Sequence, residues 1–266
     1  MKILMPMAGA GKRFSDAGYR VPKPLIPTTE RRDGKQYPMV VCALNDVVPA
    51  SEQPDLTFVI RTDDEMDIRR ELLRYYPDAS FIGVDHLTEG QASSCLLAKE
   101  HINNNDPLWI ACCDCCMVYD PARFREAQNN ADVLVFTYRH NDAVLRNPSA
   151  YGWIRADGET VTGVSVKVPI SDDPLNDHAI AASFWFRHGA DFVCCAEEMI
   201  AANDRVRGEF YVDRVIHYCL ISDLRVRVFE LDRYICLGTP EDYEAYENTI
   251  RYWRGFTGNE AFLGKE

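Results

Sequence analysis

The residues that could do chemistry gather at the start of the chain. Gly9 and Gly11 close a short apolar run, residues 3–7, and would let backbone N–H groups approach a ligand without a Cβ in the way. Lys12, Arg13 and Lys23 then bring three cations to the mouth of the same run, in a chain whose formal net charge is −12. That arrangement suits a triphosphate. Further on, an apolar stretch from residue 107 reaches Asp114. A lone carboxylate at a strand tip, facing bound phosphates, is a natural Mg²⁺ ligand. Magnesium takes one or two protein carboxylates and fills its octahedron with phosphate oxygens and water.

Two familiar phosphate motifs do not fit. A Walker A loop needs Gly-Lys followed by Ser or Thr, and here Gly11-Lys12 is followed by Arg13. A dinucleotide fingerprint needs a third glycine where this chain has Phe14.

The elements that must hold these residues alternate between strand and helix. Residues 3–7, 56–60 and 80–84 read as short strands rich in β-branched and aromatic side chains. Between them, 38–48 reads as a helix with Pro38 in its first turn, and Asp63-Asp64 opens an amphipathic helix to about Tyr76. The polar segment 28–37 reads as an exposed connection. A turn at 87–92 leads into one apolar helix over 93–102, and the strand from 107 ends on Asp114, at the carboxyl end where open α/β sheets bind ligands. Residues 132–138 continue the sheet. The second half then reads as a hairpin (151–155 and 161–168 about Asp157-Gly158), strands at 179–186 and 225–230, and helices at 190–202, 210–221 and 240–252. Thr239 caps the last helix, and the tail 253–266 reads as loosely held. The expected fold class is α/β: a three-layer, Rossmann-like, mixed but mainly parallel sheet flanked by helices.

Composition narrows the function. With 266 residues, 47% of them hydrophobic and 26% charged, the chain has ample core for one large α/β domain. The acidic balance argues against nucleic acid and anionic membranes as partners. No stretch approaches roughly 18 apolar residues, and the N-terminal charges follow the apolar run instead of preceding it, so neither a span nor a signal peptide is expected. A cytoplasmic enzyme is the expectation. The ten cysteines form no small-domain disulfide framework, and in a reducing compartment they are expected as free, mostly buried thiols. Cys113 and Cys116 make one C-x-x-C pair, but no second pair recurs to complete a structural zinc site.

The double motif Gly9-Ala10-Gly11-Lys12-Arg13-Phe14 and Pro22-Lys23-Pro24-Leu25-Ile26-Pro27 resembles the signature of the sugar-1-phosphate nucleotidylyltransferases. Lys12 stands where that family has a small hydroxyl residue. Further matches are Gly90-Gln91-Ala92, Lys167-Val168-Pro169, Gly208-Glu209-Phe210 and Leu237-Gly238-Thr239-Pro240-Glu241-Asp242, so the resemblance runs to about residue 247. It implies one catalytic domain over 1–252, with a nucleotide half to about 140 and a small β-rich acceptor-binding lobe over about 141–252. It further implies Arg13, Lys23 and Lys167 as catalytic cations, nucleotide contacts from Ala8, Gly9, Ala10, Gly11, Lys12 and Gln91, and Mg²⁺ on Asp114. Two positions depart from the pattern: Val166 replaces an acid beside Lys167, and Cys236 replaces a second metal-binding Asp, for which nearby Asp232 is the candidate substitute.

The implied partners are an NTP and a phosphorylated small molecule, with oligomeric state open, a homodimer included. The reaction needs no general base, because a phosphate monoester with a second pKa of about 6 is already an anion. The absence of a Ser-His-Asp pattern therefore fits. Two other classes are a glycosyltransferase of similar topology, which would need an Asp-x-Asp where this chain has Asp114-Cys115-Cys116, and a nucleotide-binding module without turnover.

Overall fold

A computed structural model describes residues 1–48 and 54–257 of the chain. The first half builds β1 (Lys2–Pro6), α1 (Lys12–Asp16), a β2–β3 hairpin (Pro27–Thr29, Gln36–Pro38), α2 (Met39–Leu44), β4 (Asp55–Arg61), α3 (Glu65–Leu72) and β5 (Ser80–Val84). Next come α4 (Gln91–Leu96), α5 (Lys99–Ile102), β6 (Leu108–Ile110), β7 (Cys115–Val118), α6 (Pro121–Asn130), β8 (Val133–Tyr138) and α7 (Ala143–Arg146). The remainder is β9 (Gly152–Asp157), β10 (Thr160–Val166), β11 (His178–Phe186), α8 (Gly189–Ala201), α9 (Val212–Ile221), β12 (Val226–Glu230), β13 (Arg233–Cys236) and α10 (Pro240–Thr257).

Nine strands form one sheet in the order β5-β4-β1-β6-β11-β8-β12-β10-β9. The first four are parallel, β11 enters antiparallel between β6 and β8, and β12 returns parallel to β8. The period-2 alternation of each strand divides its side chains between two cores. Leu4, Val59, Ile110, Val133 and Val135 pack toward α4, α5, α8 and α9, whereas Ile3, Met5, Phe58, Trp109, Leu134 and Phe136 pack toward α2, α3 and α6. Helices thus cover both faces, which a mostly parallel sheet requires.

Several sequence expectations change in three dimensions. Residues 28–30 are buried, not exposed, because α10 lies over them: Glu247 accepts from the Thr29 amide and hydroxyl at 2.7 Å each, and Tyr246 Oη donates to the Thr29 carbonyl at 2.6 Å. The expected helix over 93–102 is two short helices broken at residues 97–98. The run from 107 is also two strands, β6 and β7, with a turn at 111–114 between them. β13 was hidden in the sequence, since four residues carry too little pattern; it pairs antiparallel with β7. The last helix continues through Thr257 beyond its expected end, and the remainder of the expected loose tail, 258–266, lies outside the described residues.

One buried carboxylate fixes β7 in place. Asp46, with no exposed side-chain surface, takes hydrogen bonds from Arg31, Arg32 and the Met117 amide, and Tyr119 Oη donates to its carbonyl at 2.8 Å. A buried carboxylate is tolerated only when its lone pairs are met by charge and hydrogen bonds together. This one ties the end of α2 to the strand that follows Asp114.

Candidate active site

The site lies at the carboxyl ends of β1 and β6, where the chain leaves the sheet in two adjacent turns. After β1 the backbone passes through Met7 and Ala8, both buried, to Gly9 and Ala10, both exposed. Gly11 follows with φ of +59°, a conformation that costs glycine nothing, and a Cβ there would meet Lys23 at 3.6 Å. The turn and the Pro-Lys-Pro-Leu segment therefore touch directly. Pro22 and Pro24 hold Lys23 at the head of a single 3₁₀ turn.

Lys23 Nζ reaches Asp114 Oδ2 at 2.5 Å, and Asp114 is kept in its turn by the Leu237 amide, which donates to its carbonyl at 2.8 Å. Burial alone would lower the Lys23 ammonium, but the charge and hydrogen bond of Asp114 outweigh it and hold the group above its ordinary value. A Cys112–Cys115 disulfide brackets Asp114. The expectation of free thiols therefore fails at this pair: the tight turn between β6 and β7 brings the two sulfurs together. Cys113 stays a free, partly buried thiol, and Cys116 is buried in a separate cluster with Phe14 and Leu237.

Arg13, exposed on α1, has no hydrogen bond or ion pair among the described residues, and its charge acts on both Lys167 and Tyr151. Lys12 points elsewhere, pairing with Asp16 at 3.1 Å on the surface of α1. Gln91 opens α4, half-buried, with no side-chain partner among the described residues. Its turn is anchored by backbone and side chains together: the Phe210 amide donates to Glu89 and the Ala92 amide to Phe210, at 2.8 and 2.9 Å, and Arg205 Nη2 pairs with Glu89 Oε1 at 2.6 Å. That junction draws the Gly90-Gln91-Ala92 turn against the Gly208-Glu209-Phe210 segment.

Lys167 follows β10 with φ of +63°, its amide donating to the Tyr151 carbonyl at 2.9 Å and its ammonium to the Ala150 carbonyl. The ammonium lies 5.1 Å from the centre of the Tyr211 ring. Burial pulls it below the ordinary lysine range; Asp213 opposes this, while Arg207 and Arg13 reinforce it. Position 166 is a buried valine facing Gly152 in the β9–β10 ladder, and the acid that acts on Lys167 comes instead from Asp213 in the first turn of α9. Sequence reasoning missed Arg207, Tyr211 and Asp213. The first two flank the Gly208-Glu209-Phe210 segment and could have been found there, but nothing local marks Asp213.

Asp232 is not brought to Asp114. In the β7–β13 ribbon Cys236 pairs with Cys115, whereas the Asp232 amide donates to Val118 at the far end and its carboxylate pairs with Arg123 at 3.1 Å. Cys236 is the residue beside Asp114: a Cβ on Gly238 would lie 3.1 Å from Asp114 Oδ2 and 3.5 Å from Cys236 Sγ. Burial first, then Asp114, pushes the Cys236 thiol up to about 12, so it is a neutral sulfur. Among the described residues the donor set is therefore a single partly exposed carboxylate. That set fits a hard cation held largely by phosphate oxygens, and does not fit a metal held by protein ligands alone.

No protein-family model and no curated protein matches the sequence. Solved structures do. A nucleoside-diphosphate-sugar pyrophosphorylase from Vibrio cholerae RC9 superimposes with a TM-score of 0.73 at 18% identity, covering 92% of this chain and 99% of its own. A Bacillus anthracis protein described as a glucose-1-phosphate thymidylyltransferase gives 0.73 at 17% identity, covering 94% and 95%. The chain has their fold. The inositol-1-phosphate CTP transferase of T. maritima shares it at a TM-score of 0.65 and 15% identity, covering 94% of this chain and 96% of that one. In this shared α/β fold, with its central sheet flanked by helices, the turn after β1 and the turn holding Asp114 come from neighbouring parallel strands.

Proposed function

We propose that the protein is a nucleotidylyltransferase, moving an NMP unit from an NTP to a phosphorylated sugar or small phospho-alcohol. The observation that carries this reading is the Lys23–Asp114 ion pair against the Gly11 turn, with Arg13 on the helix that follows that turn and near enough to Lys167 for its charge to act there. An oxygen of the acceptor phosphate attacks the α-phosphorus. A new P–O bond forms, the α–β anhydride breaks, and pyrophosphate leaves with the bonding pair. The nucleophile is already anionic, so no proton must be removed. What the chain supplies is alignment and charge neutralisation.

In this reading the exposed amides of Gly9 and Ala10, with Gly11 and Lys12 beside them, receive the triphosphate, and Arg13 offsets the charge of its β- and γ-phosphates. Lys23 sits between the α-phosphate and the incoming phosphate, Lys167 with Arg207 grips the acceptor, and Gln91 faces the base. Asp114 would hold Mg²⁺, which would supply charge neutralisation at the α-phosphate when bound. The β9–β10 hairpin with the 205–211 segment would form the small acceptor lobe on a Rossmann-like nucleotide half. The reading carries with it a cytoplasmic setting, where NTPs are made, and a role in supplying precursors of surface polysaccharide.

The test is pyrophosphate release with Mg²⁺, crossing the four common NTPs with sugar 1-phosphates and small phospho-alcohols. A productive pair names base and acceptor together. If every pair is silent while NTP with Mg²⁺ raises the melting temperature, the chain binds nucleotide without turnover. Silence with no thermal shift overturns the reading.

A further inference from the structure

Asp213 is a carboxylate that the reaction just described does not use, and its place calls for a reason. The residue is only 8% exposed, in the first turn of α9. Its carboxylate presses on Gly152 so closely that a Cβ there would lie 2.2 Å from Oδ2. No described side chain donates a hydrogen bond to it; its own amide is its hydrogen-bond donor, and the one charge that acts on it is Lys167. An ionised carboxylate taken out of water without a counter-charge is costly, so this one and Lys167 stand or fall together. The geometry around them is tight. Gly152 faces Val166 in the ladder, the Lys167 amide donates to Tyr151, and Lys167 Nζ is confined between the Ala150 carbonyl and the Tyr211 ring. Lys167 also holds a left-handed backbone, which a residue with a Cβ keeps only where its surroundings impose it.

We propose that Asp213 is a positioning residue: from beneath the β9–β10 hairpin its buried charge keeps the Lys167 ammonium protonated and aimed at the acceptor phosphate. This deepens the function proposed above and rests on it. The groups facing Lys167 are Arg13 on α1, Arg207, Glu209 and Tyr211 on the 205–211 segment, Tyr151 ahead of β9, and Asp213 on α9. With Arg13 and Arg207 both disfavouring a third cation, removal of the Asp213 charge leaves Glu209 as the weaker of the two acids acting on it.

Asp213→Asn keeps the shape and removes the charge. Its KM for the acceptor should rise about tenfold, the scale of one lost charge-assisted contact, with KM for the NTP within about twofold. The alkaline limb of kcat/KM for the acceptor should move to lower pH, because Lys167 then gives up its proton sooner. Unchanged acceptor KM and an unmoved alkaline limb would overturn the proposal. A second measurement needs neither turnover nor folding of that variant. Lys167→Met strands the Asp213 carboxylate, so it should melt below wild type at pH 7, and the gap should close toward pH 5 as Asp213, whose pKa burial already raises, takes up a proton. A gap that stays constant with pH would show that the two groups are not coupled. Closing of the gap in a protein that turns over no acceptor would uphold the pair while sinking the nucleotidylyltransferase reading.

Discussion

At the scale of single residues, the site is a balance of charges more than a set of acids and bases. Lys23 is stabilised as a cation by Asp114, and Lys167 is weakened as one by burial, so the two ammonium groups assigned to the proposed reaction differ. Arg13 is exposed and has no protein partner among the described residues, and the proposed reaction gives it the charge of the incoming phosphates. Lys23→Ala and Arg13→Ala should each cut kcat/KM by about 100- to 1,000-fold, the effect of losing one preorganised charge at the reacting centre. The Arg13 variant should melt with wild type, since its side chain is exposed and unpaired. Steady-state pyrophosphate release with a parallel melting curve checks both; a near-normal rate in either would remove that residue from the site.

At the scale of elements, short turns do the positioning. Gly90 has φ of +130°, and a Cβ there would come within 2.5 Å of the Phe210 amide nitrogen and carbonyl oxygen. Gly90→Ala must therefore open the junction that sets Gln91 against the 205–211 segment. A loss of about 1–3 kcal/mol in stability is expected, the usual cost of enforced backbone strain, with weaker NTP binding. Urea unfolding and an NTP titration would read the two effects separately. The last helix depends on Thr239, whose Oγ1 accepts from the Asp242 amide at 3.2 Å while donating to Asp242 Oδ2 at 3.0 Å. Losing such a cap costs about 1 kcal/mol, so Thr239→Ala should lower the melting temperature by about 2–4 °C. Because Glu247 on the same helix holds Thr29, fraying there should also loosen the β2–β3 hairpin.

At the scale of the whole molecule, one sheet interleaves strands from both ends of the chain, with β8 lying between β11 and β12. Asp132, just before β8, accepts from the Arg225 amide and Nε at 2.9 Å each and from Nη2 at 2.7 Å, with Arg187 at 3.4 Å. The hydrogen bonds to Arg225 draw its carboxyl down to about 2. A lowered carboxylate pKa stabilises the fold above the unfolded value of about 3.9, and that share is lost as pH falls toward 2. Asp132→Asn should therefore melt below wild type at pH 6–7 and converge with it between pH 4 and 2. The difference should be modest, because solvent screens a pair whose arginine is exposed. A difference that persists at pH 2 would assign the effect to packing.

The sequence by itself determined the alternation of strand and helix, the glycine turn and the cations around it. Each is written in a few consecutive residues: apolar period, turn chemistry, Pro22 and Pro24 about Lys23. It set Asp114 at the end of the strand from residue 107, but that strand stops at Ile110 and Asp114 stands in the turn that follows. Only the tertiary structure decided which distant groups meet. Strand register put Cys236, not Asp232, beside Asp114, because four residues along a ribbon carry a side chain to its other end. Helix packing delivered Asp213 to Lys167 across 46 residues and buried the polar segment at 28–30 under α10. Folding of the 111–114 turn closed a disulfide in a chain expected to hold free thiols. Local backbone preference reaches one turn or one strand along the chain. Contacts made by the stacking of three layers depend on everything that sets the sheet order, and no short stretch of this chain contains that.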